Sequence, residues 1–135
     1  MVDLSRMNLN PPAGVDDLGL AQRTLPGGLP ADYSAFLGNH NGGEGFVGEN
    51  YIVLWKAEEI AEFNDDFDVA KSAPGLFLIG SDGGGKGFGF DTRTPDLPVV
   101  VVPFTGMALG AATQAAETFS AFMEKLEVTD TLFGK

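Results

Sequence analysis

Cysteine is absent from the 135 residues, and histidine occurs once, as His40. The first absence excludes disulfides, thiolate metal sites and cysteine nucleophiles. The second excludes any site that needs two imidazoles from one chain. Basic residues are scarce: 8 Lys and Arg stand against 19 Asp and Glu, a formal net charge of -11. A nucleic-acid partner is therefore not expected, because phosphate binding needs a basic surface. Long apolar runs are also missing. The longest, LPVVVVPF at 97–104, is too short to span a bilayer as a helix. The opening MVDLSRMNLNPPAG has no basic start followed by an apolar stretch, so it does not read as a secretory signal. The expectation is a cytoplasmic protein with no membrane partner.

What is present fits one domain. The charge is uneven. Residues 1–68 hold 12 acids and 3 bases, a balance of -9, and residues 69–135 hold 7 acids and 5 bases, a balance of -2. Glu58, Glu59, Glu62, Asp65, Asp66 and Asp68 form a run with no base among them. Such a run is either a solvated face or the complement of a basic partner. These six residues are the candidate partner-binding site.

Along the chain, residues 1–14 read as a loose tail carrying Pro11-Pro12 and Gly14. Leu18, Ala21 and Leu25 recur at helical spacing after Val15, and Tyr33, Phe36 and Leu37 do so after Pro30, which suits a first helical turn. FVGENYIVLW at 46–55 has strand composition. KAEEIAEFN predicts a short helix with Ala57, Ile60 and Phe63, and Phe67 beyond, facing inward, and the acids facing out. LFLIG, GFGFD and the valine run Val99–Val102 predict three more strands, the last central because it is apolar on both faces. Residues 105–117 stay undetermined: their alanines favour a helix, and Gly106 and Gly110 oppose one. Thr118 can cap a final helix with Phe119, Phe122, Met123 and Leu126 on one stripe. The tail from Val128 is expected to fray. Helices at the ends and strands in the middle predict an α+β domain spanning 15–127.

Several motifs imitate ligand sites. Gly80-Ser81-Asp82-Gly83-Gly84-Gly85-Lys86 has the spacing of a phosphate loop, but Gly87 stands where Ser or Thr is required. The Phe88-Gly89-Phe90 that follows alternates like a strand and not a helix, so a β-hairpin is the simpler reading. GEGFVG at 43–48 matches a dinucleotide pattern but leads into a strand, the reverse of the required order, and reads as a glycine-rich turn. NDDFD at 64–68 begins like a calcium loop, yet Val69 and Gly75 occupy the places of the obligatory glycine and glutamate. His40 is expected only to hydrogen-bond its turn. Trp55 and the 11 phenylalanines are expected in the core.

Several pieces in order carry a resemblance: Leu29-Pro30-x-x-Tyr33-x-x-Phe36-Leu37, then Asn41-Gly42-Gly43, a strand ending near Trp55, and Glu58-Glu59-Ile60 with Asn64. Ile79–Gly85 leading to Phe90-Asp91, the valine strand and Phe119-x-x-Phe122 complete the set. In this order they resemble the SMI1/KNR4 family, the SUKH superfamily, over about residues 15–127; the alanine-rich stretch 105–117 departs from it. The resemblance implies one α+β domain with a central, largely antiparallel sheet, no shared enzymatic activity, and no catalytic residue, metal or cofactor. Many bacterial members of the family are immunity proteins that bind and neutralise partner toxins, often nucleases; fungal relatives regulate cell-wall assembly and signalling. The first reading is therefore a cytoplasmic immunity protein binding a basic toxin domain stoichiometrically. The alternatives are a regulatory or scaffold protein with a cellular protein partner, and a nucleotide or small-molecule binder using the 80–91 hairpin. The oligomeric state is left open.

Overall fold

The structure is a computed structural model that describes residues 2–25, 27–130 and 132–133. Seven strands form one antiparallel sheet in strict chain order: β1 Met7–Leu9, β2 Gly43–Val47, β3 Asn50–Leu54, β4 Leu76–Ser81, β5 Lys86–Asp91, β6 Val99–Pro103 and β7 Thr113–Ala116. The helices are α1 Val15–Thr24, α2 Ala31–Asn39, α3 Ile60–Asp66, α4 Val69–Ser72 and α5 Phe119–Val128. This is the α+β class that the sequence predicts. No helix among the described residues is long and apolar enough to cross a membrane.

Alternation in GFGFD orients the core. Phe88 and Phe90 point toward α5 and α2, where Phe88 lies 4.8 Å from Phe122 and Phe90 lies 5.4 Å from Tyr33, centroid to centroid. Thr118 caps α5 by accepting the Ala121 amide at 3.0 Å. The stripe Phe119, Phe122, Met123 and Leu126 is buried, as are Tyr33 and Leu37, while Phe36 is half-buried against Phe119. The valine strand β6 is buried on both faces, in keeping with its composition.

Tyr33 carries a distinct cost. It is 1% exposed, packed on Phe90 and Phe119, and its hydroxyl is the one fully buried side-chain polar atom without a partner among the described residues. Burial pushes its ionisation far above the usual phenol range. The folded pKa lies above the unfolded value near 10, so the associated stability is intact below pH 10 and is lost above it, at about 1.4 kcal/mol per pH unit. Tyr33→Phe is therefore expected to leave stability at pH 7 unchanged or raised by about 1 kcal/mol. Between pH 10 and 12 it should flatten the alkaline loss by about that slope. Urea unfolding across this range is the check, and a variant clearly weaker at pH 7 would mean that the hydroxyl is bonded after all.

The structure corrects four expectations. Residues 2–14 are not a loose tail, and Met1 lies outside the described residues: Met7–Leu9 pair with β2, Met7 is buried, and the Ala13 amide bonds to the Leu37 carbonyl at 3.0 Å. GEGFVG is not a turn, because Gly43–Val47 is strand β2. A Cβ at Gly43 or Gly45 would stand 2.4 Å from the carbonyl oxygen of Asn8 or Arg6 respectively, so the glycines let β1 and the residue before it approach closely. The run FVGENYIVLW is accordingly two strands joined at Gly48-Glu49. The C-terminal segment does not simply fray. The Asn50 side chain accepts the Leu132 amide at 3.1 Å, and Phe133 packs on Phe88 and Phe122. The rest of that predicted tail, 131 and 134–135, lies outside the described residues. Residues 105–117, undetermined from sequence, form a short 3₁₀ turn at Leu109–Ala111 and the edge strand β7, where pairing with β6 overrides the alanine propensity.

One discontinuity positions the candidate site. β3 and β4 share only the pairs Val53↔Ser81 and Leu54↔Gly80, after which they separate. The α3–α4 segment packs beside the first half of β4, and the Asn64 side chain takes the place of the missing strand. It accepts the Leu78 amide at 2.9 Å and donates to the Leu78 carbonyl at 2.9 Å.

Candidate partner-binding face

The six acids do not form one uniform block. Glu58 accepts from the Asn41 side chain at 2.9 Å, while Asn41 Oδ1 accepts the Ala57 amide at 2.7 Å. Asn41 is buried, and its hydrogen bond holds the Glu58 carboxyl below the usual carboxylate range. Glu59 accepts the Lys56 amide at 3.1 Å and closes the 3₁₀ turn Ala57–Glu59 that leads into α3. These two carboxylates are structural ties. Glu62, Asp65, Asp66 and Asp68 are exposed, and among the described residues none of their side chains forms a hydrogen bond or ion pair. Asp68 adopts a left-handed conformation with φ of 53°, which breaks the chain between α3 and α4.

The structure also corrects the expectation for Phe67. Ile60, Phe63 and Phe67 share a helical spacing, but α3 ends at Asp66, and Phe67 emerges 40% exposed. It lies nearly parallel to Trp55 and to Phe104, at 11° to each, with centroids 6.1 and 4.5 Å away. Phe63 meets Trp55 edge-on at 4.8 Å. These four rings and Gly83-Gly84 border an open notch of about 420 Å³, and Asp66 also lines it. Trp55 is buried as expected, but it forms the wall of a surface feature that composition did not reveal. An aromatic residue inside an acidic run, as in NDDFD, is the signal that could have found it.

The notch continues onto the open face of β1–β3. A second depression of about 520 Å³ shares Trp55 and Phe63 with the notch and reaches Asn8, Glu44 and Val53. Beyond it, Phe46 packs edge-on against Tyr51 at 5.2 Å, and the Arg6 guanidinium sits 4.9 Å from the Phe46 centroid. Tyr51 donates its hydroxyl to Glu44, which raises the phenol pKa.

The 80–91 hairpin has little anion-binding capacity left. Asp82 Oδ1 accepts the Gly84 amide at 2.8 Å and the Lys86 amide at 3.1 Å, and Ser81 Oγ accepts the Gly83 amide at 3.1 Å. Gly83, at φ of 80°, supplies the turn. The Lys86 ammonium donates to the Phe133 carbonyl at 2.6 Å. A carboxylate of the chain thus holds the amides that a phosphate would need. His40 bonds to its turn through its backbone amide, which donates to Phe36 at 2.7 Å. No group of three potential metal ligands occurs among the described residues.

Residues 12–125 match the model of the SMI1 / KNR4 family (SUKH-1). The chain belongs to this family. The match covers β2–β7, α1–α4 and most of α5, and starts three residues before the boundary read from the motifs. No curated protein matches the chain. Membership is consistent with an immunity-protein-like role through protein–protein contact. In this SMI1/KNR4 domain the family pieces have visible structural work: Asn41 joins the α2 exit to the 3₁₀ turn, and the glycine-rich stretch makes the β4–β5 turn.

Proposed function

We propose that this domain is a cytoplasmic immunity protein that neutralises a basic, nuclease-type toxin by one-to-one occlusion. The observation that carries the reading is the aromatic notch lined by Asp66, with Glu62, Asp65 and Asp68 solvated in the same segment. Exposed rings in a concavity are the usual anchors of protein interfaces. Unpaired carboxylates in the same segment steer a basic partner and gain attraction when it arrives. A toxin that grips phosphates is basic for that reason, so an acidic inhibitor presents the charge its substrate presents. The SMI1/KNR4 membership supports a protein as the partner. A regulatory or scaffold role would use the same face with a cellular partner.

The test neutralises the free carboxylates and spares Glu58 and Glu59. Glu62→Gln, Asp65→Asn, Asp66→Asn and Asp68→Asn together should leave folding intact, since asparagine tolerates the left-handed position. Association with the toxin domain at low salt, followed by stopped-flow, should slow about tenfold and lose most of its salt dependence. An unchanged association rate would remove this face from the binding site.

A further inference from the structure

We propose that the notch between Trp55, Phe63, Phe67 and Phe104 is a receptor for an arginine side chain of the protein partner. The inference rests on the reading of this face as the partner-binding site and goes further by naming the group that enters it. The notch pairs two features that few side chains satisfy together. Its walls are four aromatic rings, and a carboxylate, Asp66, lines it, with Glu62, Asp65 and Asp68 free in the same segment. No basic residue lies between Lys56 and Lys71, so among the acids of this run the chain supplies no internal cation.

An aliphatic or aromatic side chain would fill the cavity but would bring apolar surface against an unpaired carboxylate, which loses solvation without gaining a partner. A cation satisfies both the rings and the carboxylate. Between the two basic side chains, the guanidinium is planar, weakly hydrated and able to meet a carboxylate through two parallel N–H donors, whereas the ammonium holds its water tightly. Cation–π attraction to the walls adds to this preference. The same face already shows the pairing in miniature, with Arg6 placed 4.9 Å from the exposed Phe46 ring.

Trp55 is the only tryptophan, so the indole signal comes from one residue, which lines the notch and the depression that adjoins it. The experiment titrates the full chain at low salt with acetyl-Gly-Arg-Gly-Arg-Gly-amide and with its lysine and citrulline counterparts, following the Trp55 indole N–H resonance. The arginine peptide should give a saturable shift and bind at least fivefold tighter than the lysine peptide, and the citrulline peptide should not saturate. Phe67→Leu keeps apolar bulk and removes the ring; it should abolish the preference for arginine over lysine while thermal unfolding shows the fold intact. Asp66→Asn should weaken the arginine peptide at least threefold and reduce its salt dependence. Equal binding of arginine and lysine peptides, an unshifted Trp55, or a preference that survives Phe67→Leu would each overturn the proposal. If Trp55 is unmoved but the four-carboxylate variant still slows the toxin domain, the arginine receptor falls and the binding face stands. If neither responds, both fall.

Discussion

Phe122→Ala is expected to destabilise the domain by about 3–5 kcal/mol, the range for removing a fully buried phenylalanine ring. Phe122 is 0% exposed and packs on Phe88 at 4.8 Å and on Phe133 at 6.5 Å, where α5 crosses the central strands. Its loss empties the junction between the helix, β5 and the C-terminal segment at once. For a domain of this size the loss corresponds to a drop in Tm of about 10–20 °C. Val128→Ala, at an exposed position at the end of the same helix, serves as the control and should change stability by less than about 0.5 kcal/mol. Chemical denaturation of both variants decides the matter. A Phe122→Ala cost near that of the control would mean that α5 does not pack on β5 through this ring.

Asn64→Ala should cost about 2–4 kcal/mol, because it strands two backbone groups of a buried strand together. Leu78 is fully buried, and both its amide and its carbonyl bond to the Asn64 side chain at the point where β3 has left β4. The Asn64 amide group also donates to the Ile60 carbonyl at 2.8 Å, so the same side chain ties α3 to the sheet. Asn64→Asp separates these roles. The carboxylate can still accept the Leu78 amide, but it faces the Leu78 carbonyl oxygen with no proton to give. At pH 7 its deficit should match or exceed that of Asn64→Ala. Protonation restores a donor, so the folded state raises the pKa of the new acid above its unfolded value, and the deficit should shrink as pH falls through that raised value. Hydrogen exchange at the Leu78 amide gives a local readout. Protection of that amide unchanged in Asn64→Ala would show that the side chain is not its partner.

Much of this domain is legible from short-range chemistry. The α+β class, the β4–β5 hairpin and the α5 stripe follow from periodicity and turn residues within a dozen positions of one another, where sterics and burial act on the local chain. The ordered motifs likewise identify the SMI1/KNR4 family, because each is a turn or a core stripe with its own spacing. The acidic run is visible in the sequence too, but not its division. Glu58 differs from Glu62, Asp65, Asp66 and Asp68 because Asn41 meets it in the fold, whereas Glu59 is set apart locally by the Lys56 amide three residues before it. Strand β1 depends on glycines 36 and 38 residues further along that leave room for its backbone, and β7 depends on the free edge of β6. Phe67 extends a helical stripe in sequence but stays 40% exposed, stacked on Phe104, a residue that three strands, β4, β5 and β6, separate from it along the chain. Local propensity is summed over neighbours in the chain, whereas these features are set by groups that meet only once the sheet has closed, and there tertiary contact outweighs propensity.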